Sequence, residues 1–247
     1  MLRPVRASEV ARRALDLLER EYGRPRIRAD GVGTQGGPEG PRYKRRRALD
    51  VLIGTILSQN TSDANSHRAF ESLRKAFPSW HGVAGAKVTA IAAAIRSGGL
   101  ARTKAPRIRA ILQQLWRERG KADLEFLERM PTKQALDYLI SLPGVGPKTA
   151  SCVLLFAFDK PVLPVDTHVH RVSRRLGLVD EEASPEKAQA ALERIVPPKD
   201  RLSFHLNLIA HGRAVCRPRP RCAVCVVLAL CSYGRSVLGV RSWRHLR

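Results

Sequence analysis

Acid is scarce in this sequence beside the base it has to balance. Aspartate and glutamate number 22 against 44 lysines and arginines in 247 residues, and no acidic residue follows Asp200. The net charge of +22 points to a polyanionic partner, because basic side chains displace the counterions condensed on a phosphate backbone. A solvated basic surface with no dedicated partner is the alternative. No run is long and apolar enough to span a bilayer, which excludes a membrane helix. Residues 1–9 are basic but lack the apolar centre of a secretion signal, so the expected protein is soluble and intracellular, on the nucleoid if the cell is bacterial. In that compartment the five cysteines read as metal ligands or core residues before they read as disulfides. Convincing period-two alternation is also missing, which leaves little room for strands.

What remains is helical. Residues 8–22 carry Val10, Ala14, Leu15, Leu17 and Leu18 among charges, an amphipathic pattern. Residues 23–41 turn to Gly, Pro and Arg and read as a flexible loop. Residues 48–57 are apolar almost all round, as in a buried central helix. Further helices are expected over 66–76, 88–95, 105–119, 133–142 and 152–158, then from near Asp166, from Pro185, and over 201–211. Pro78, Gly98-Gly99, Gly120 and Pro131 punctuate them. The basic residues cluster at 44–47, at Arg96, Arg102, Lys104, Arg107 and Arg109, and at Arg201, Arg213, Arg217, Arg219, Arg221, Arg235, Arg241, Arg244 and Arg247. Several separated clusters suit a protein that grips a duplex along its length.

The stretch 142–150, LPGVGPKTA, places two glycines around one apolar residue between helical patterns. Backbone N–H groups of such a hairpin (Gly144, Val145, Gly146, Thr149) can approach a phosphate, helped by the positive end of the next helix. A plain helix–helix turn has the same grammar. Downstream, PVDTHVHRV contains Asp166, which also suits a helix N-cap before Thr167-His168-Val169.

These two segments resemble the helix-hairpin-helix and the acidic segment of endonuclease III-type DNA glycosylases. The likeness extends to Leu57-Ser58-Gln59-Asn60-Thr61 and to the terminal cysteines, in the family's order. It implies Lys148 as the nucleophile and Asp166 as the essential carboxylate of a glycosylase with AP-lyase activity. A neutral lysine amine can attack C1′ of a deoxyribose, expel the base and leave a Schiff base, after which β-elimination cuts the strand 3′ to the lesion. Asp166 would stabilise the oxocarbenium-like transition state and carry protons. Members with base-removal activity only lack a lysine at this position, so Lys148 argues for the bifunctional type. His168 and Arg171 are further candidates for the DNA face.

Cys216, Cys222, Cys225 and Cys231 form C-x5-C-x2-C-x5-C. Structural zinc sites usually draw on two close-spaced pairs, whereas one C-x2-C flanked by single cysteines better suits an iron–sulfur cube. Many relatives hold a [4Fe–4S] cluster through C-x6-C-x2-C-x5-C, one residue longer in the first loop. In them that loop presents basic side chains to DNA, a part that Arg217, Arg219 and Arg221 could take here, with Pro218 and Pro220 stiffening the loop. Cys152 lies on an apolar helix and reads as core.

A glycosylase must extrude its target nucleotide and fill the gap left in the stack. The resemblance implies a polar residue after the first buried helix, Gln59 or Asn60, and an apolar wedge, Leu100. The LSQNTSD run and an insertion over 123–127 are closer to a divergent subgroup, which includes archaeal-type enzymes and plant glycosylases for methylated cytosine. The expected substrate is double-stranded DNA with an oxidised pyrimidine or an abasic site; alkylated, methylated or mismatched bases stay open. So do a glycosylase without lyase activity, a non-catalytic damaged-DNA-binding relative, an RNA-associated protein and a zinc-stabilised variant. The expected architecture is an all-α monomer of two helical lobes with a DNA groove between them. Residues 44–158 form a bundle with the hairpin; 1–43 and 159–247 form the cluster lobe. Lys148 and Asp166 are expected to face each other across the groove.

Overall fold

The computed structural model describes residues 4–28, 42–44 and 46–239. Among these the protein is all-α apart from one pair of three-residue strands, and it divides into two compact units. None of the described helices is long and apolar enough to cross a membrane.

The first unit, Arg46–Lys160, is organised around α2 (Ala48–Ser58), whose Leu49, Val51, Leu52, Ile53, Ile56 and Leu57 are all buried. Only a narrow stripe, Asp50, Gly54, Thr55 and Ser58, is partly exposed, so the helix is covered on most sides. α3 (Asp63–Ala76) and α8 (Pro147–Phe158) pack against it. α4 (Trp80–Gly85) and α5 (Val88–Ala94) lie on α6 (Ala101–Arg119), and α7 (Thr132–Ser141) lies on α8. Burying each large aliphatic side chain in this core contributes about 1.5–3 kcal/mol.

The second unit joins the two ends of the chain. α1 (Pro4–Tyr22) packs on α11 (Arg201–Ala214) and α10 (Pro185–Ile195), while α9 (Thr167–Leu176) packs on α11 and α12 (Ser232–Val237). Ala14, Leu18, Val169, Val172, Leu192, Phe204 and Leu208 meet in its core.

Every expected helix is present, and several start earlier than their apolar periodicity does. α3 begins at Asp63 because Ser62 caps it, its side chain accepting from the Asn65 N–H at 3.3 Å. α8 begins at Pro147, where a missing N–H costs nothing, rather than at Cys152. α6 gains a polar first turn from Ala101. The short α4 and α12 were not anticipated. Part of the expected loop over 23–41 is strand: Arg26–Arg28 (β1) pairs in parallel with Arg42–Lys44 (β2). The rest of that loop from residue 29, Arg45, and the basic residues Arg241, Arg244 and Arg247 lie outside the described residues.

Candidate active site and cysteine cavity

The hairpin between α7 and α8 is closed by the Val145 N–H donating to the Leu142 carbonyl at 3.1 Å. Gly144 adopts φ +69°, and a Cβ there would sit 2.2 Å from Arg107 Nε and 2.6 Å from its Cδ and Cζ. Glycine is therefore required by the left-handed backbone, while the flexible Arg107 side chain lying across it would have to move aside for a Cβ. Gly146 is the N-cap of α8 and Pro147 its first residue. The N–H groups of Lys148 and Thr149 fall in a first turn that has no intrahelical acceptor and no side-chain cap. Lys148 is half-buried, one residue into the helix.

One expected DNA contact of the hairpin, the Val145 N–H, needs correction. Val145 is 4% exposed and its N–H is already engaged with Leu142. Thr149 is likewise 4% exposed, with Oγ1 accepting from Gln59 Nε2 at 3.4 Å, so only its main chain is placed for a phosphate.

Gln59 is also held at its other end, where Oε1 accepts from Arg107 NH1 at 3.4 Å. Both bonds are long, yet together they tie this side chain inward. That corrects Gln59 as a free gap-filling residue and leaves Asn60, which is exposed at φ 53°. Leu100 is 54% exposed at φ 51° and is the N-cap of α6. Lys104, counted above with the surface cations, is 2% exposed. Its Nζ donates to the carbonyls of Leu57, Gln59 and Gly98 at 2.8, 2.7 and 2.8 Å, a role invisible in charge patterning.

In the other unit Asp166 caps α9. Its Oδ1 accepts from the N–H groups of His168 and Val169 at 2.9 and 2.8 Å, so Oδ2 is not used by the cap. His168 is half-buried, and burial lowers its pKa, the nearby Asp166 opposing the shift. Arg171 is corrected as a DNA contact. Its guanidinium donates to the carbonyls of Cys216 and Gly212, both at 2.9 Å, to His168 Nδ1 at 3.0 Å and to the Thr167 carbonyl at 3.4 Å. It binds α9 to α11 and to the start of the cysteine loop.

Cys216, Cys222, Cys225 and Cys231 line one small cavity with Val172, Leu176 and His211, and all four are free thiols. Burial pushes the Cys225 thiol up to about 11 and also raises Cys231, the neighbouring cysteines adding to both. Thiols so placed become thiolates only beside a strong positive charge, which makes this a donor set for a soft metal centre. The four sulfurs line one cavity, and an all-cysteine donor set of this kind fits the ligation of an iron–sulfur cluster. A Cβ on Gly234 would lie 2.9 Å from Leu228 Cδ1 and in ordinary contact, at 3.5 and 3.7 Å, with Cys231 Sγ and Cys222 Sγ, so the Gly234 backbone borders the cavity. The Gly234 N–H donates to Cys231 Sγ at 3.3 Å and Arg175 NH1 to Cys216 Sγ at 3.3 Å, bonds suited to thiolate sulfur. Arg175 also holds the loop through the Arg217 and Pro218 carbonyls at 2.7 and 3.0 Å. Arg217, Arg219 and Arg221 are exposed on it. Cys152 is buried in α8 and is not among the residues lining the cavity.

Residues 53–198 match the family model described as HhH-GPD superfamily base excision DNA repair protein. Endonuclease III of Thermotoga maritima is 36% identical over 78% of this chain and 86% of its own length. A protein of Arabidopsis thaliana, provisionally named a DNA glycosylase, is 44% identical over 67% of this chain, which spans 56% of that relative's length. A solved structure of a trapped endonuclease III–DNA covalent intermediate superposes with a TM-score of 0.76 at 28% identity, covering 96% of this chain and all of the other.

Proposed function

The chain belongs to the HhH-GPD superfamily of base excision DNA repair proteins, and on that footing we propose that it is a DNA glycosylase with AP-lyase activity. The observation that carries the lyase part is Lys148, half-buried at the start of a helix whose first-turn N–H groups are uncapped and preceded by the Gly144–Gly146 turn. Those N–H groups hold a phosphate of the lesion strand and bring its sugar to the amine. Likeness to a protein captured in covalent linkage with DNA supports the same reading.

Lys148 Nζ, as the neutral amine, attacks C1′ of the extruded nucleotide. The C1′–N bond breaks and the base leaves with the bonding pair and a proton. The ring then opens to an imine between Lys148 and C1′, which acidifies the C2′ hydrogens. Loss of one of them expels the 3′ phosphate by β-elimination, and water releases the lysine. Asp166, with Oδ2 left free by its capping bonds, steadies the positive charge that develops on the sugar as the base departs. Asn60 and Leu100, both exposed, fill the gap in the duplex.

The substrate is double-stranded DNA carrying an oxidised pyrimidine or an abasic site, bound by a monomer inside the cell, on the nucleoid in a bacterium. Cys216, Cys222, Cys225 and Cys231 would hold a [4Fe–4S] cluster, which when bound cross-links the thiolates and closes the loop that presents Arg217, Arg219 and Arg221 to phosphates.

The test is a duplex with one abasic site, incubated with the protein and borohydride. A covalent adduct from the wild type that disappears in Lys148→Ala is expected. Absence of an adduct from folded, cluster-loaded wild type would sink the lyase reading and leave base removal alone.

A further inference from the structure

Lysine is among the side chains least often buried, because its ammonium is strongly hydrated. Lys104 is nevertheless 2% exposed. An ammonium has three N–H donors and no acceptor. Here the three donors meet three main-chain carbonyls, those of Leu57, Gln59 and Gly98, at 2.7–2.8 Å. Two of these carbonyls end α2 and the third ends the turn Arg96–Gly98. Carbonyls at helix ends lack an N–H partner and carry the negative end of the helix dipole, so a cation suits them. Such a set offsets the cost of taking the charge out of water, and it joins two segments far apart in sequence.

Just beyond each anchor the backbone turns left-handed. Asn60 follows Gln59 with φ 53°; Leu100 follows Gly98 and Gly99 with φ 51°. Residues with a Cβ seldom hold that conformation, and they keep it only where the surroundings leave no alternative. Lys104 supplies that constraint from both ends at Leu100. Its own N–H donates to the Leu100 carbonyl at 2.9 Å while its ammonium holds Gly98. The two loops also lie side by side: a Cβ on Gly99 would lie 4.0 Å from the Asn60 carbonyl oxygen and from Thr61 Oγ1. On the far side, the Gln59 side chain reaches Thr149, the neighbour of Lys148.

We propose that Lys104 is a positioning residue, whose buried ammonium ties the Asn60 loop to the Leu100 loop so that the two gap-filling side chains enter the duplex as one rigid jaw. This rests on the reading that Asn60 and Leu100 fill the gap. Lys104 itself touches neither DNA nor the reacting atoms.

The probe is a duplex with a natural abasic site and 2-aminopurine as the base opposite, followed with the full cluster-loaded protein. Lys104→Met keeps the aliphatic stem and removes the donors. It should lower the single-turnover cleavage rate between about tenfold and a hundredfold, as expected when a reacting group is misplaced by an ångström or so. The 2-aminopurine fluorescence change, which reports entry of the jaw, should fall with it. Asn60→Ala/Leu100→Ala should lose both signals by itself. Adding Lys104→Met to that pair should then cost nothing further, because a residue acting through two others has nothing left to act on. If the losses instead multiply, Lys104 is only a stabilising residue and the proposal is overturned. If Asn60→Ala/Leu100→Ala loses nothing, the gap-filling reading fails first, whatever Lys104 does. Should Lys104→Met not fold by circular dichroism and cluster absorbance, Lys104→Gln, with two donors in place of three, is expected to show the same non-additivity.

Discussion

Arg171→Met should weaken the fold of the cysteine-bearing unit and leave the salt dependence of DNA binding unchanged. Two of the bonds from Arg171 are short and reach main-chain carbonyls, those of Cys216 and Gly212 at 2.9 Å. A third reaches His168 at 3.0 Å. A hydrogen bond from a charged donor contributes about 1.5–3 kcal/mol, and truncation leaves the acceptors without a partner. The two carbonyl bonds alone put the loss at roughly 3–6 kcal/mol. For a chain of this size each kcal/mol lowers Tm by about 2–4 °C, so a fall of roughly 6–24 °C is expected in a calorimetric scan. A phosphate contact behaves differently. Its loss flattens the slope of log K against log salt by about 0.9 and costs no stability. Arg219→Ala, at an exposed position of the cysteine loop, should show that second pattern. An Arg171→Met protein with wild-type Tm and a flattened slope would refute the internal role and restore Arg171 to the DNA face.

Gly144→Ala should destabilise the hairpin unit by about 1–2 kcal/mol from the left-handed backbone alone, and should also displace the Arg107 side chain that lies 2.2 Å from the new Cβ. Melting of Gly144→Ala beside Gly144→Ala/Arg107→Ala separates the two: the backbone cost should survive in the pair, and a pair as stable as Arg107→Ala would contradict it. His168 is held neutral by burial, below its ordinary value of 6.5, so below that pH the unfolded chain binds the extra proton first. Its contribution should be fully present above about pH 6.5 and be lost as the pH falls toward the folded value. Tm recorded from pH 7.5 to 5 should fall more steeply for the wild type than for His168→Gln, and identical slopes would count against the assignment.

Local signals carried most of the fold. α2 was legible because its apolar residues surround the axis, and α8 because of its apolar run over 152–158, although its start at Pro147 was not read. The same holds for Asp166, whose capping bonds span only two and three residues. What escaped was decided at long range. Gln59 was expected to face DNA, but its partner Thr149 is 90 residues away. Arg171 was expected on the surface, yet the carbonyls it holds lie 41 and 45 residues on. Neither periodicity nor spacing records which helix end will come to rest beside a given cation. The short α4 was missed for a different reason. Its six residues are too few to show a period, and the serine that caps it, Ser79, follows a proline that reads as a break.

The same contacts change what the excess of base means. A helix that ends inside a fold leaves its last carbonyls without N–H partners, and something must answer them. In this chain arginine and lysine do so repeatedly. Lys160 donates to the carbonyls of Glu128 and Met130 at 3.0 and 2.7 Å. Arg201 reaches those of Glu193 and Val196 at 2.6 and 3.2 Å. Arg175, Arg171 and Lys104 do the same at the cysteine loop and at α2. Such a cation needs no carboxylate partner, so the scarcity of acid is partly a record of internal carbonyls answered by base. The net charge of +22 therefore overstates the charge available to a phosphate backbone. Among the exposed cations are Arg96 and Arg102 on either side of Leu100, and Arg217, Arg219 and Arg221 on the cysteine loop. The sign of the charge pointed to a polyanion, but only the direction of each side chain separates the cations that meet it from those that hold the protein together.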